Sequence, residues 1–135
     1  IFYLTKKEKS NYKEKKNIFL AKNKKIFINL KKKWDTDIKL LNNKISDKQN
    51  VFIFGAHIFS QNLIFNGLNT KNIKYILDND PKKNNKYCYG TNLSVKTPKI
   101  LKNYSNPVVI LRAGPYNLEI KKKIINNINK NTKFI

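Results

Sequence analysis

The sequence has little from which redox, metal or membrane chemistry could be assembled. It holds one cysteine (Cys88), one histidine (His57), one tryptophan (Trp34), one arginine (Arg112) and no methionine. A single cysteine excludes an internal disulfide and any metal site built on cysteines. The expected place for Cys88 is a buried or edge strand, in a reducing, cytoplasmic setting. No apolar run approaches the roughly 20 residues needed to cross a bilayer, and residues 1–4 are too few for a signal peptide. HExxH, GxSxG and Walker A patterns are absent, so no catalytic set stands out and no metal is expected. Lacking methionine and starting at Ile1, the chain is expected to be a fragment whose upstream part is missing.

Acidic residues are scarce as well, 8 against 29 basic ones, for a formal charge of +21. Every basic residue but Arg112 is a lysine, and the lysines accompany many asparagines and isoleucines, the residues of AT-rich codons. The charge is also spread, with 15 basic and 5 acidic residues over 1–50 and 14 and 3 over 51–135. A nucleic-acid interface instead concentrates Arg and Lys on one face with aromatics between them. The expectation is salt-sensitive adhesion to polyanions, with no specific nucleic-acid partner and no membrane partner.

What the chain does have is an alternation of short apolar runs with helical patterns. Val51–Phe54 reads as a strand buried on both faces, ended by Gly55. Residues 56–66 predict a helix with Phe59, Leu63 and Ile64 on one face and Gly67 as its C-cap. Ile73–Leu77 is a second strand, with Asp78 at its carboxyl end. A third strand, or two short ones bent at Gly90, falls within 87–95. Thr97-Pro98 predicts a helix start, Val108–Leu111 a fourth strand, and Pro115 the first position of a last helix. Leu118, Ile120, Ile124, Ile125 and Ile128 supply that helix's stripe, and 132–135 is a fifth strand. This pattern predicts an α/β fold, a Rossmann-like parallel sheet of about five strands in the order 3-2-1-4-5 with helices on both faces.

Ahead of it, Phe27, Leu30, Trp34, Ile38, Leu41 and Ile45 recur at spacings of 3 and 4, one stripe of a helix. The stripe either packs on the following domain or also seals an interdomain contact, with Trp34 the residue to test. Residues 46–50 are a polar break. The expected organisation is 1–50, the end of an upstream domain (1–4 its last strand, 5–17 a solvated connector) plus an amphipathic helix, then 51–135, the Rossmann-like domain.

In such a sheet, ligands bind beyond the carboxyl ends of the strands, where the strand order reverses. That crevice would collect Gly55 and His57 from the first strand, Asp78 from the second, and Arg112, Tyr116 and Asn117 from the fourth and its helix. The first turn is half of a dinucleotide fingerprint. Gly55 is present, but His57 and Ser60 hold the places of the second and third glycines, and a side chain at 57 would crowd a pyrophosphate. Asp78 lies 23 positions beyond Gly55, close to the roughly 20 expected of a ribose-binding acid. Binding of a phosphate at the helix N-terminus stays open. His57 either caps the helix or contacts ligand. Arg112, the one guanidinium in a lysine-rich chain, either takes a carboxylate or phosphate of a ligand or pairs with Asp78 or Asp80. Asp78-Asn79-Asp80 reads as turn-making.

Taken together, FGAHIFSQNLIFNGL, LDNDPKKNNKYCYGTNLSV, TPKIL and VILRAGPYNLEI resemble the C-terminal domain of sugar C-methyltransferases. Asp78, Pro81 and Lys83 match a D-x-x-P-x-K turn, Gly90-Thr91 a following G-T, and Tyr116-Asn117 a W-N pair with Tyr for Trp. The resemblance spans about 51–135 and departs from the pattern at His57 and Arg112-Ala113-Gly114. It implies a Rossmann-like domain that helps hold a sugar nucleotide, appended to an S-adenosylmethionine-dependent methyltransferase. The methyl donor would bind the missing upstream domain, so this chain alone would bind no cofactor and be inactive. Two alternatives are the nucleotide-sugar-binding domain of a sugar acyltransferase and a degenerate NAD(P)-binding domain.

Overall fold

The computed structural model describes residues 18–135; the expected strand at 1–4 and connector at 5–17 lie outside the described residues. The chain divides into two compact units, Ile1–Lys32 and Lys33–Ile135. The helix α1 (Ile18–Ile45) begins in the first and ends in the second. Everything that follows belongs to the second unit.

Five strands, β1 (Val51–Phe54), β2 (Ile73–Leu77), β3 (Val95–Lys96), β4 (Val108–Leu111) and β5 (Lys133–Phe134), form one sheet in the order β3-β2-β1-β4-β5. Every pairing is parallel. The order reverses at β1, which pairs with β2 on one side and β4 on the other, with Phe54 opposite both Leu77 and Leu111. This is the α/β fold and strand order that the sequence predicts. All residues of β1 and β4 are buried, because a central parallel strand has helices over both faces.

Side chains alternate along the strands, so the two faces have separate cores. Val51, Ile53, Val108 and Ile110 share one with Ile38, Leu41 and Ile45 of α1 and with Leu63 and Ile64 of α2 (Ile58–Phe65). Phe52, Phe54, Val109 and Leu111 share the other with Leu101 and with Ile124 of α3 (Asn117–Asn127). Fully burying one such side chain contributes about 1.5–3 kcal/mol. The ring of Tyr104 meets Phe52 edge to face, 5.0 Å between centroids. Asn129 pins this face by donating from Nδ2 to the carbonyls of Leu101 (2.7 Å) and Tyr104 (2.9 Å).

Several local expectations need correction. The apolar face of α2 is Leu63 and Ile64 with the buried Ser60, and Phe59 points outward. Ile120 and Ile124 of α3, with Ile128 at its C-cap, face the core, whereas Leu118 and Ile125 are exposed. Pro115 lies in a 3-10 turn (Gly114–Tyr116), and α3 starts at Asn117. Thr97-Pro98 opens a 3-10 helix (Pro98–Asn103) without a side-chain cap. The third strand is only Val95–Lys96. The residues before it fold back around Gly90, bridging Tyr87 to Ser94 and burying Cys88.

Candidate functional site

The two loops at the carboxyl ends of β1 and β2 are joined by one carboxylate. Asp78 Oδ2 accepts from the Ala56 N–H (2.8 Å) and from Lys83 Nζ (3.0 Å), and Oδ1 accepts from the Asp80 N–H (2.9 Å). Lys83 also donates to the Ala56 carbonyl at 3.1 Å. Three of the roughly four acceptor positions of the carboxylate are thus taken within the chain. Burial opposes the charged form of Asp78. The hydrogen bonds from Asp80, Lys83 and Ala56 and the charge of Lys83 outweigh it, holding the carboxyl below its ordinary value.

The β1–α2 turn is shaped by Gly55, whose φ of +99° suits glycine alone, and by Ser60, whose buried hydroxyl donates to the Gly55 carbonyl. His57 is the N-cap of α2, with Nδ1 accepting from the Phe59 N–H at 3.3 Å, which leaves the proton of a neutral ring on Nε2. Its imidazole folds over Gly55, so a Cβ at 55 would collide with the ring. At the far end of α2, Gly67 (φ +98°) closes a Schellman turn, with Gly67 N–H to Ile64 (3.0 Å) and Leu68 N–H to Leu63 (2.9 Å).

Beyond β4, Asn117 Oδ1 accepts from the Ala113 N–H at 2.8 Å and fixes the turn into α3. Arg112 and Tyr116 are exposed beside it. Among the described residues, Arg112 has neither an ion pair nor a side-chain hydrogen bond. Of its two candidate partners, Asp78 pairs with Lys83 and Asp80 accepts from the Lys82 N–H instead.

All six residues singled out from the sequence, Gly55, His57, Asp78, Arg112, Tyr116 and Asn117, line one cavity of about 800 Å³ at the reversal of strand order. Its volume is within the roughly 300–1,000 Å³ usual for small-molecule sites. Four of the six are engaged in holding the walls: Gly55 by its conformation, His57 as a cap, Asp78 as a latch and Asn117 as a turn lock. Arg112 and Tyr116 are the two whose side chains make no hydrogen bond among the described residues. Lys83, which the crevice reading did not include, lines the same cavity; its place in the D-x-x-P-x-K turn was the available signal. A second cavity of about 410 Å³ adjoins, sharing Phe59 and Arg112 with the first.

Other chemistry is thinly provided. No cluster of three metal-ligating side chains exists among the described residues. Burial pushes the Cys88 thiol up, Asp78 adding to the effect and Lys83 opposing it, so it remains protonated at neutral pH and a poor nucleophile. No described helix is long and apolar enough to cross a membrane.

A parallel sheet reversing at β1, with a cavity over that point, defines a Rossmann-like α/β domain. The family is given by sequence: a model of the C-methyltransferase C-terminal domain matches residues 4–135, and the chain belongs to that family. No curated protein matches it, and no solved structure does.

Proposed function

We propose that this chain is the substrate-holding part of an S-adenosylmethionine-dependent sugar C-methyltransferase. It binds a sugar nucleotide in the larger cavity and works beside a donor-binding domain of the same enzyme. Membership of the C-methyltransferase C-terminal domain family supports the methyl-transfer context. The observation that carries the substrate reading is Arg112, a guanidinium at the cavity rim with no carboxylate partner among the described residues. A planar, unpaired fork of donors suits the diphosphate of a sugar nucleotide, and the first turn of α2 adds positive potential on the same cavity.

The β1–α2 turn itself does not fit the methyl donor or a dinucleotide. The His57 imidazole lies against Gly55, and Asp78, the acid that would hold a ribose, already accepts three hydrogen bonds. The donor therefore belongs to another domain in this proposal, and this chain alone transfers no methyl group. The NAD(P) alternative has no comparable support, and the family match favours methyl transfer over acyl transfer. The same reading places the protein in the cytoplasm, where the thiol of Cys88 stays reduced.

Calorimetric titration with UDP-glucose and dTDP-glucose tests the reading. Arg112→Lys should weaken binding about tenfold, because lysine keeps the charge and loses the bidentate fork. The melting temperature should hardly move, since the side chain is exposed. Unchanged affinity would remove Arg112 from the site.

A further inference from the structure

The second cavity has a different chemical character from the first. It lies between the C-terminal part of α1 and the helix α2, and Trp34, Asp37, Phe59, Asn62, Asn66 and Arg112 bring its functional groups. Trp34 offers a broad apolar ring. Among the described residues the Asp37 carboxylate has no hydrogen-bond or ion-pair partner. Asn66 Nδ2 donates to Asn62 Oδ1 at 3.0 Å and to the Asn62 carbonyl at 2.8 Å. That pairing orients both amides and leaves Asn62 Nδ2 as a donor and Asn66 Oδ1 as an acceptor.

An unpaired carboxylate repels phosphate, so the anionic part of a ligand is directed to Arg112, at the junction with the larger cavity. What suits the interior is neutral, can both donate and accept, and has an apolar face for an aromatic ring. A hexose has these properties: its hydroxyls serve Asp37, Asn62 and Asn66 alike, and its C–H face packs on Trp34. An aromatic platform with a few placed polar groups is the usual construction of such a site, and about 410 Å³ is in the range for small ligands.

We propose that this cavity, between Trp34 and Asn66, is a hexose subsite, taking the sugar of a nucleotide sugar whose diphosphate lies at Arg112 and whose nucleoside occupies the larger cavity. The assignment rests on the sugar-nucleotide reading above and adds where the sugar sits and which groups select it.

Trp34 is the only tryptophan of the chain, so its fluorescence reports on this cavity directly. The protein is titrated with UDP-glucose and dTDP-glucose, with UDP and dTDP, and with methyl glucoside. The sugar nucleotides are expected to bind at least tenfold more tightly than the diphosphates and to change Trp34 emission, which the diphosphates leave unaltered. Asp37→Asn should remove most of that advantage and leave the affinity for UDP and dTDP as it was. Equal affinities for sugar nucleotide and diphosphate with a silent Trp34 overturn the subsite and leave the reading of the larger cavity intact. If no nucleotide binds, the larger-cavity reading falls and methyl glucoside decides. A saturable change in Trp34 emission, lost in Asp37→Asn, upholds the subsite, and no change overturns it.

Discussion

Asp78 connects the two loops at the rim of the cavity, adding side-chain bonds to the single backbone hydrogen bond from the Gly55 N–H to the Leu77 carbonyl (2.6 Å). Its carboxyl is held below the ordinary value, so the stability it contributes is fully present above the unfolded value of about 3.9 and is lost as pH falls through the lowered folded value. Asp78→Asn should cost about 1–3 kcal/mol near neutral pH, the range for disturbing a largely buried, charge-assisted hydrogen-bond set. In denaturant titrations the gap between the variant and the parent should close once the pH is well below 3.9; a constant gap would mean that the latch does not depend on ionisation. The location of Asp78 was legible in the sequence because the end of an apolar run before Asn, Asp and Pro is recognisable. Its partners were not. They depend on how the loop after β2 returns to the turn after β1, which brings Lys83 and the Ala56 N–H to the same oxygen. His57 and Asn117 differ, since their polar atoms are engaged by backbone groups only 2 and 4 residues away, and capping by His57 is one of the two roles the sequence offers.

Helices were legible by period and less so by face. The α1 stripe is real, but only Ile38, Leu41 and Ile45 are buried, whereas Phe27 is 62% exposed and Trp34 37%. A 3- and 4-residue spacing states that apolar groups share a face and says nothing of how far along the helix something covers it. Leu41→Ala should therefore cost about 2–5 kcal/mol, as large-to-small changes in cores do, whereas Phe27→Ala should stay within about 0.5 kcal/mol in this chain. Urea midpoints of the two variants check the pair, and a comparable loss for Phe27→Ala would mean that the exposed stretch is packed. In α2 the inward face is set by a hydrogen bond that the apolar spacing does not show. Ser60 turns inward because its hydroxyl reaches the Gly55 carbonyl, which carries the outward face round to Phe59.

At the scale of the whole molecule, the strand order could be read because βαβ connections leave few choices. Consecutive parallel strands joined by right-handed crossovers grow outward from β1, then restart on its other side at β4. The cavity followed from that reversal, and all six expected residues reached it although most of their contacts were unforeseen. Composition was a weaker guide. The charge of +21 is lysine laid over an intact α/β pattern, so binding to DNA should fall linearly with the logarithm of salt concentration and show no preference among duplexes. Fluorescence anisotropy with two unrelated duplexes checks this, and a preference surviving physiological salt would contradict it.

The contact between His57 and Gly55 also sets an order on how these two positions can change through evolution. A side chain entering at 55 first meets the imidazole as well as an unfavourable backbone angle, and a later shrinking of 57 would relieve only the first of these. The reverse order is open: 57 can shrink first, at the loss of one helix cap. Descendants of this sequence should thus drift at 57 before 55, and the glycine should be the last of the turn to go.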